Sequence, residues 1–166
     1  MAKYTGTFGP VTLSTAYANT VNLTNSTYPF FLQGLSAGQV KISEVYMGGE
    51  AQSASNVAIM VLGRDSTVAA SSISGITAVL TDGTATAPGT TPAIGNSATT
   101  APQRSANHLL HLSFNTYGGI VRWVASPDQT LSVYGTGTTN GEVSLSPFTG
   151  TQTGSALSGH VLYEVV

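Results

Sequence analysis

Across residues 108–126, HLLHLSFNTYGGIVRWVAS, apolar side chains return at every second position. Leu110, Leu112 and Phe114 alternate with His111 and Ser113. That period puts one row of side chains on each face of an extended strand, whereas a helix would bring them round every three or four residues. Leu109 breaks the alternation, so the second face is partly covered too. Asn115, Thr116, Tyr117, Gly118 and Gly119 follow, and the paired glycines supply the positive φ angles of a tight connection. The chain resumes as Ile120-Val121-Arg122-Trp123-Val124 and stops before Pro127, which has no N–H to continue a ladder. The stretch reads as a hairpin with Val121 and Trp123 on one face and Arg122 on the other. Trp123, the only Trp, fills core between two sheets on one reading and stacks on a ligand on the other.

The same texture recurs along the chain. QVKISEVYMG (39–48) puts Val40 and Ile42 on one face, then Val45 and Met47 on the other, a switch that calls for a bulge or for cover on both sides. NVAIMVLGRD (56–65) is apolar on both faces and belongs in the middle of a sheet. TLSVY (130–134), EVSLS (142–146) and HVLYEVV (160–166) are further strands, with Asn140-Gly141 a hairpin turn before EVSLS. About eight strands and no helix of usable length predict an all-β fold, an antiparallel two-sheet sandwich of jelly-roll type with one long inserted loop.

Two segments stand apart. Residues 1–37 read as a Thr-, Gly- and aromatic-rich N-terminal leader with short strands, before a sandwich domain over 38–166. The leader is either a first strand plus an end plug or an arm laid on a neighbouring subunit. On the second reading Tyr4, Phe8, Tyr28, Phe30 and Phe31 are its candidate partner contacts. Residues 66–106 form an insertion of Ser, Thr, Ala, Gly and Pro with two charges, Asp82 and Arg104. Residues 75–81 make a possible strand there, and 84–102 read as extended or flexible; structureless loops beyond about 15 residues are uncommon in compact domains.

The chemistry is sparse. The chain has 166 residues, enough for one self-supporting core, and no Cys, which removes disulfides, thiolate metal sites and a Cys nucleophile. Charged residues are 7% of the chain against about a quarter in ordinary domains. Five Lys and Arg cannot build a basic patch, so nucleic acid is a poor partner. No apolar run is long enough for a membrane helix. The leader has no secretory h-region, so the sequons at Asn22 and Asn25 read as turn composition. His108 and His111, three apart on a strand, should point to opposite faces and share no metal; His160 is alone. No two of the seven carboxylates are close enough in sequence to suggest a local catalytic pair, which leaves only pairs from distant strands. Arg64-Asp65 reads as a surface pair of little worth. No phosphate loop, nucleophile elbow or zinc-protease helix occurs. These residues point to no catalytic site, no cofactor and no metal.

From Val40 onward the chain resembles small virion proteins of tailed bacteriophages. The likeness is carried by the layout VKISEVYMGGEAQSASNVAIMVLGRDS, then a Thr-, Ala- and Pro-rich insertion, then LLHLSFNTYGGIVRWVASPDQTLSV and a last strand. It covers about three quarters of the sequence. The resemblance implies a jelly-roll decoration, cement or head-fibre-base subunit of the virion, assembled in the host cytoplasm. It also implies a homo-oligomer, a trimer, that contacts the major capsid protein or other virion subunits, and no catalytic residue. The alternative is a carbohydrate- or host-receptor-binding sandwich that stacks sugars on Tyr17, Tyr28, Tyr117, Tyr134 or Trp123.

Overall fold

A computed structural model describes residues 1–14, 16–50, 56–83, 91–135, 141–152, 154 and 156–166. The chain is all-β. Its strands are β1 (Ala2–Thr12), β2 (Phe30–Gln33), β3 (Gln39–Gly49), β4 (Val57–Thr67), β5 (Ala78–Leu80), β6 (Ile94–Gly95), β7 (Gln103–Asn115), β8 (Ile120–Val124), β9 (Leu131–Tyr134), β10 (Glu142–Pro147) and β11 (Ala156–Val165). One sheet runs β5-β1-β11-β3-β8, with β9 on the same edge of β3; the other runs β6-β2-β10-β4-β7. Every pairing is antiparallel.

The pairings β1 with β11, β2 with β10, β3 with β8 and β9, and β4 with β7 form a nested set. The chain is therefore one long double ribbon, folded back between β4 and β7 and rolled so that successive pairs alternate between sheets. That is the jelly-roll winding the strand pattern predicts. Among the described residues there are eleven strands rather than eight, because one ribbon arm is split into β8 and β9 and because the insertion adds β5 and β6.

The insertion is no free loop. β5 extends the first sheet beyond β1 and β6 extends the second beyond β2, which covers one open edge of each. Bridges Ala70 to Thr100 and Ser74 to Ser97 close it, and Ile94 and Ala98 are buried. The expected extended stretch 84–102 is thus anchored from 91 onward, while 84–90 lie outside the described residues, as do Asn140 of the expected turn and the 51–55 connection.

The leader is corrected in the same way. β1 is eleven residues long and lies between β5 and β11. Residues 16–28 cross the outer face of the second sheet, bonded through Thr20 N to Arg104 O, Leu23 N to Pro102 O and Ser26 N to Asn96 O. Asn25 donates to Ala98 O at 3.0 Å and accepts from Ala98 N at 3.2 Å, which occupies that sequon side chain inside the fold.

Bulges explain where the simple alternation fails. On β3 the register slips beside Ser43, so Val45 and Met47 return to the face of Val40 and Ile42, and all four are fully buried between the sheets. The turn at 115–119 forms as expected: Tyr117 N donates to Asn115 Oδ1 at 2.8 Å and Gly119 N to Asn115 O at 2.9 Å. It is not a hairpin, however. β7 pairs β4 in the second sheet and β8 pairs β3 in the first, so the turn arches between layers. Trp123 then packs half-buried against the core from the β8 edge instead of filling its centre.

Candidate functional site

The two sheets present different outer faces. On the second, the short strand β10 is buried on both sides. Val143 and Leu145 face the sandwich core, while Glu142, Ser144 and Ser146 lie under residues 16–28 and the insertion. Tyr17, Leu23, Tyr28, Phe31, Ala69 and Ala98 make a small second core there. Beneath it runs a polar network. Glu142 accepts from Gln33 Nε2 at 2.8 Å and from Ala69 N at 2.9 Å, and Gln33 Nε2 also donates to Ala69 O at 2.6 Å. Asp65 Oδ1 accepts from Ser144 Oγ at 2.6 Å. Arg104 donates to Ser146 Oγ, to Tyr17 O at 2.7 Å and to Asn19 Oδ1 at 3.4 Å.

Asp65 is fully buried, which corrects the surface pair expected with Arg64; the two side chains leave opposite faces of β4, and Arg64 reaches Ser132 O at 2.9 Å. Asp65 instead interacts with Glu142, on a strand far away in sequence. Burial, reinforced by the charge of Glu142, holds the Asp65 carboxyl well above the ordinary carboxylate range. Burial also raises Glu142, opposed by its bonds to Asp65, Ala69 and Gln33. Glu142 has the fuller set of hydrogen bonds, while Asp65 Oδ2 has no partner. The acid pair faces Arg104, whose guanidinium burial lowers to about 10. Here is the acid pair from distant strands that short-range spacing could not reveal. Asp65 and Glu142 are both fully buried. The pair fastens the covering loops to the sheet.

Among the described residues, the outer face of the first sheet carries no such cover. Its outward side chains are exposed or half-buried, Glu44 excepted. Glu44 is the hub of this face. It accepts two bonds from Arg122, at 3.0 and 2.8 Å, and one from His160 Nε2 at 3.0 Å. Tyr46 stacks on His160 with ring centroids 5.3 Å apart. The Arg122 fork is the largest cause that holds the Glu44 carboxyl below its ordinary range. Along the open edge strand β8, Ile120 and Val124 flank Arg122 and are 66% and 53% exposed. A groove of about 430 Å³ lies beside this face, lined by Lys3, Ser43, Thr81, Pro127, Leu162 and Glu164 among others. It brings one Lys and one Glu together, not two acids.

The five aromatics expected at a partner contact are elsewhere. Tyr4, Phe8, Tyr28, Phe30 and Phe31 are each at most 5% exposed, inside this chain's own two cores. The period-two alternation of Ala2, Tyr4 and Phe8 in β1 is the signal that could have placed the first two there. Of the proposed sugar-stacking residues, Tyr17 and Tyr28 are buried, Trp123 is half-buried, and Tyr117 and Tyr134 are 56% and 60% exposed.

His108 and His111 are also corrected. The β4–β7 register steps one residue on β4, Leu62 to Gly63, against two on β7, Leu110 to His108. The bulge at Leu109 restores His108 and His111 to one face, with Nδ1 of the first 2.8 Å from Nε2 of the second. Among the described residues no three His, Asp or Glu side chains converge as a metal cage. No family model, curated protein or solved structure matches the chain.

Proposed function

We propose that this chain is a non-enzymatic structural subunit of a virion, one that decorates or cements a phage capsid shell as a trimer. It would bind the major capsid protein or a neighbouring virion subunit, not nucleic acid or membrane. The reading rests on the unequal sheets. The second sheet is sealed by the chain's own loops and a polar network. The first keeps an outer face and an edge strand, β8, on which Ile120 and Val124 stand exposed around Arg122. A weakly charged surface with an apolar edge gains by burial against another subunit. The buried acid pair and the mixed lining of the groove favour this reading over hydrolysis, which needs two acids facing one accessible cleft.

The test is the mass of the purified chain in solution, alongside an Ile120→Asp, Val124→Asp double variant. The expected result is an oligomer for the native chain and a monomer with unchanged circular dichroism for the variant. A native chain that is a monodisperse monomer and never binds capsid shells overturns the reading. Deleting the first 35 residues would not test it, because β1 and β2 are parts of the two sheets.

A further inference from the structure

We propose that His108 and His111 form a two-imidazole binding site for a divalent transition metal, copper(II) before nickel(II), on the outer face of β7. Two ring nitrogens bound cis at about 2.0–2.1 Å from one metal stand roughly 2.9 Å apart at a right angle and about 3.3 Å apart in a tetrahedron. Nδ1 and Nε2 are hydrogen-bonded at 2.8 Å, a spacing that a metal would take over in place of the shared proton. It matches neighbouring corners of a tetragonal complex, the geometry of copper(II) and nickel(II) with nitrogen ligands.

The surroundings prepare His108 for this. Asn19 Oδ1 already accepts from Arg104 Nε, which can only donate, so the amide oxygen is fixed in place. His108 Nε2, 2.7 Å from the same oxygen, must therefore carry the ring proton, and Nδ1 is left with its lone pair toward His111. A side chain that orients a ligand imidazole through its other nitrogen is what metal sites use. Phe148 meets both rings edge-on, at 5.2 and 5.8 Å between centroids, and limits their rotation. The His111 ring is exposed, so it can turn and change tautomer to present Nε2. Arg104 opposes an incoming cation, and the remaining coordination positions are left to water. Both features set a moderate affinity.

The experiment uses the full chain without an affinity tag, titrated with copper(II) and followed by calorimetry and electron paramagnetic resonance. The native chain should bind one ion with two-imidazole nitrogen coupling. His111→Gln should weaken binding by more than about tenfold and reduce the coupling to one nitrogen. Because that ring is exposed, the variant should keep the native melting temperature in the absence of metal. A His108→Ala, His111→Ala double variant that binds copper as tightly as the native chain overturns the proposal, as does a native spectrum without two-imidazole coupling.

Discussion

Asp65 of β4 and Glu142 of β10 meet in the interior of this protein, although neither has an acidic neighbour in sequence, and burial together with the charge of Glu142 holds the Asp65 carboxyl well above its ordinary range. A carboxyl whose folded pKa is raised stabilises the fold only while it holds its proton. Its contribution is complete below the unfolded range near about 4 and is lost as pH rises through the folded value. Melting temperature should therefore fall as pH is raised from about 5 toward 9. Asp65→Asn keeps an acceptor for Ser144 and a donor for Glu142, so it should flatten that slope. Calorimetric scans across the pH series check both; an unchanged slope in the variant would show that the proton is held elsewhere.

Arg104 is the cation that this acid pair faces, and its stem passes close under Gly63, whose added Cβ would stand 2.8 Å from Arg104 Cγ and Cδ. Arg104→Met should cost about 3–5 kcal/mol, because it leaves the acid pair without its counter-charge and Ser146 and Tyr17 O without a donor. Chemical denaturation at neutral pH measures it. The loss should shrink in an Arg104→Met, Asp65→Asn, Glu142→Gln triple variant, where no charge is left to orphan.

Glu44 has the opposite sign. Its carboxyl is held low, first by Arg122, so its contribution is present above about pH 4.5 and is lost as pH falls through the folded value. The partners are partly exposed, so Glu44→Gln should cost only about 0.5–1 kcal/mol at neutral pH and low salt. The difference from the native chain should vanish below pH 3 and narrow in high salt, as denaturation at two ionic strengths would show.

Phe30 separates a core aromatic from a contact aromatic. It is fully buried and its ring centroid is 5.7 Å from that of Phe8. Phe30→Ala should cost about 3–5 kcal/mol in the isolated chain. Tyr117→Ala, at an exposed turn, should stay within about 0.5 kcal/mol. A Phe30 variant as stable as the native chain would return that residue to the surface.

Gly159 is the tightest approach within the first sheet. A Cβ there would lie 2.0 Å from Tyr46 O and 2.8 Å from the Phe8 ring. Neither backbone nor a buried ring can withdraw cheaply, so Gly159→Ala should cost about 1–3 kcal/mol or more in thermal or chemical unfolding.

Strand identity was readable because Val40, Ile42, Met60, Leu112 and Val161 obey the alternation that a half-covered sheet imposes. What could not be read were the places where one extra residue changes parity. Ser43 and Leu109 look like ordinary strand positions, yet the bulges beside them decide that Met47 is core and that His108 meets His111. The sheet to which a strand belongs was equally hidden. Nothing local in Asn115-Thr116-Tyr117-Gly118-Gly119 distinguishes a hairpin from an arch; the longer partners β4 and β3 make that choice. Composition leaves the leader open between a first strand and an arm, and much of the insertion open between extended and flexible, because polar residues alone do not say whether their bonds are met inside the fold. Their few apolar residues, Leu23, Tyr28, Ala69 and Ala98, are enough to seal one sheet face once hydroxyls and amides carry the remaining bonds.

The nested winding also sets an order of events during synthesis. Ala2 pairs with Val165, so β1 has no lasting neighbour in β11 until β2 to β10 have been made. Until then β1, which carries Tyr4 and Phe8, keeps the edge that β11 will cover open to the same strand of another nascent copy. Slow translation late in the message would lengthen that exposure, and crowding of nascent chains on one message would raise its cost.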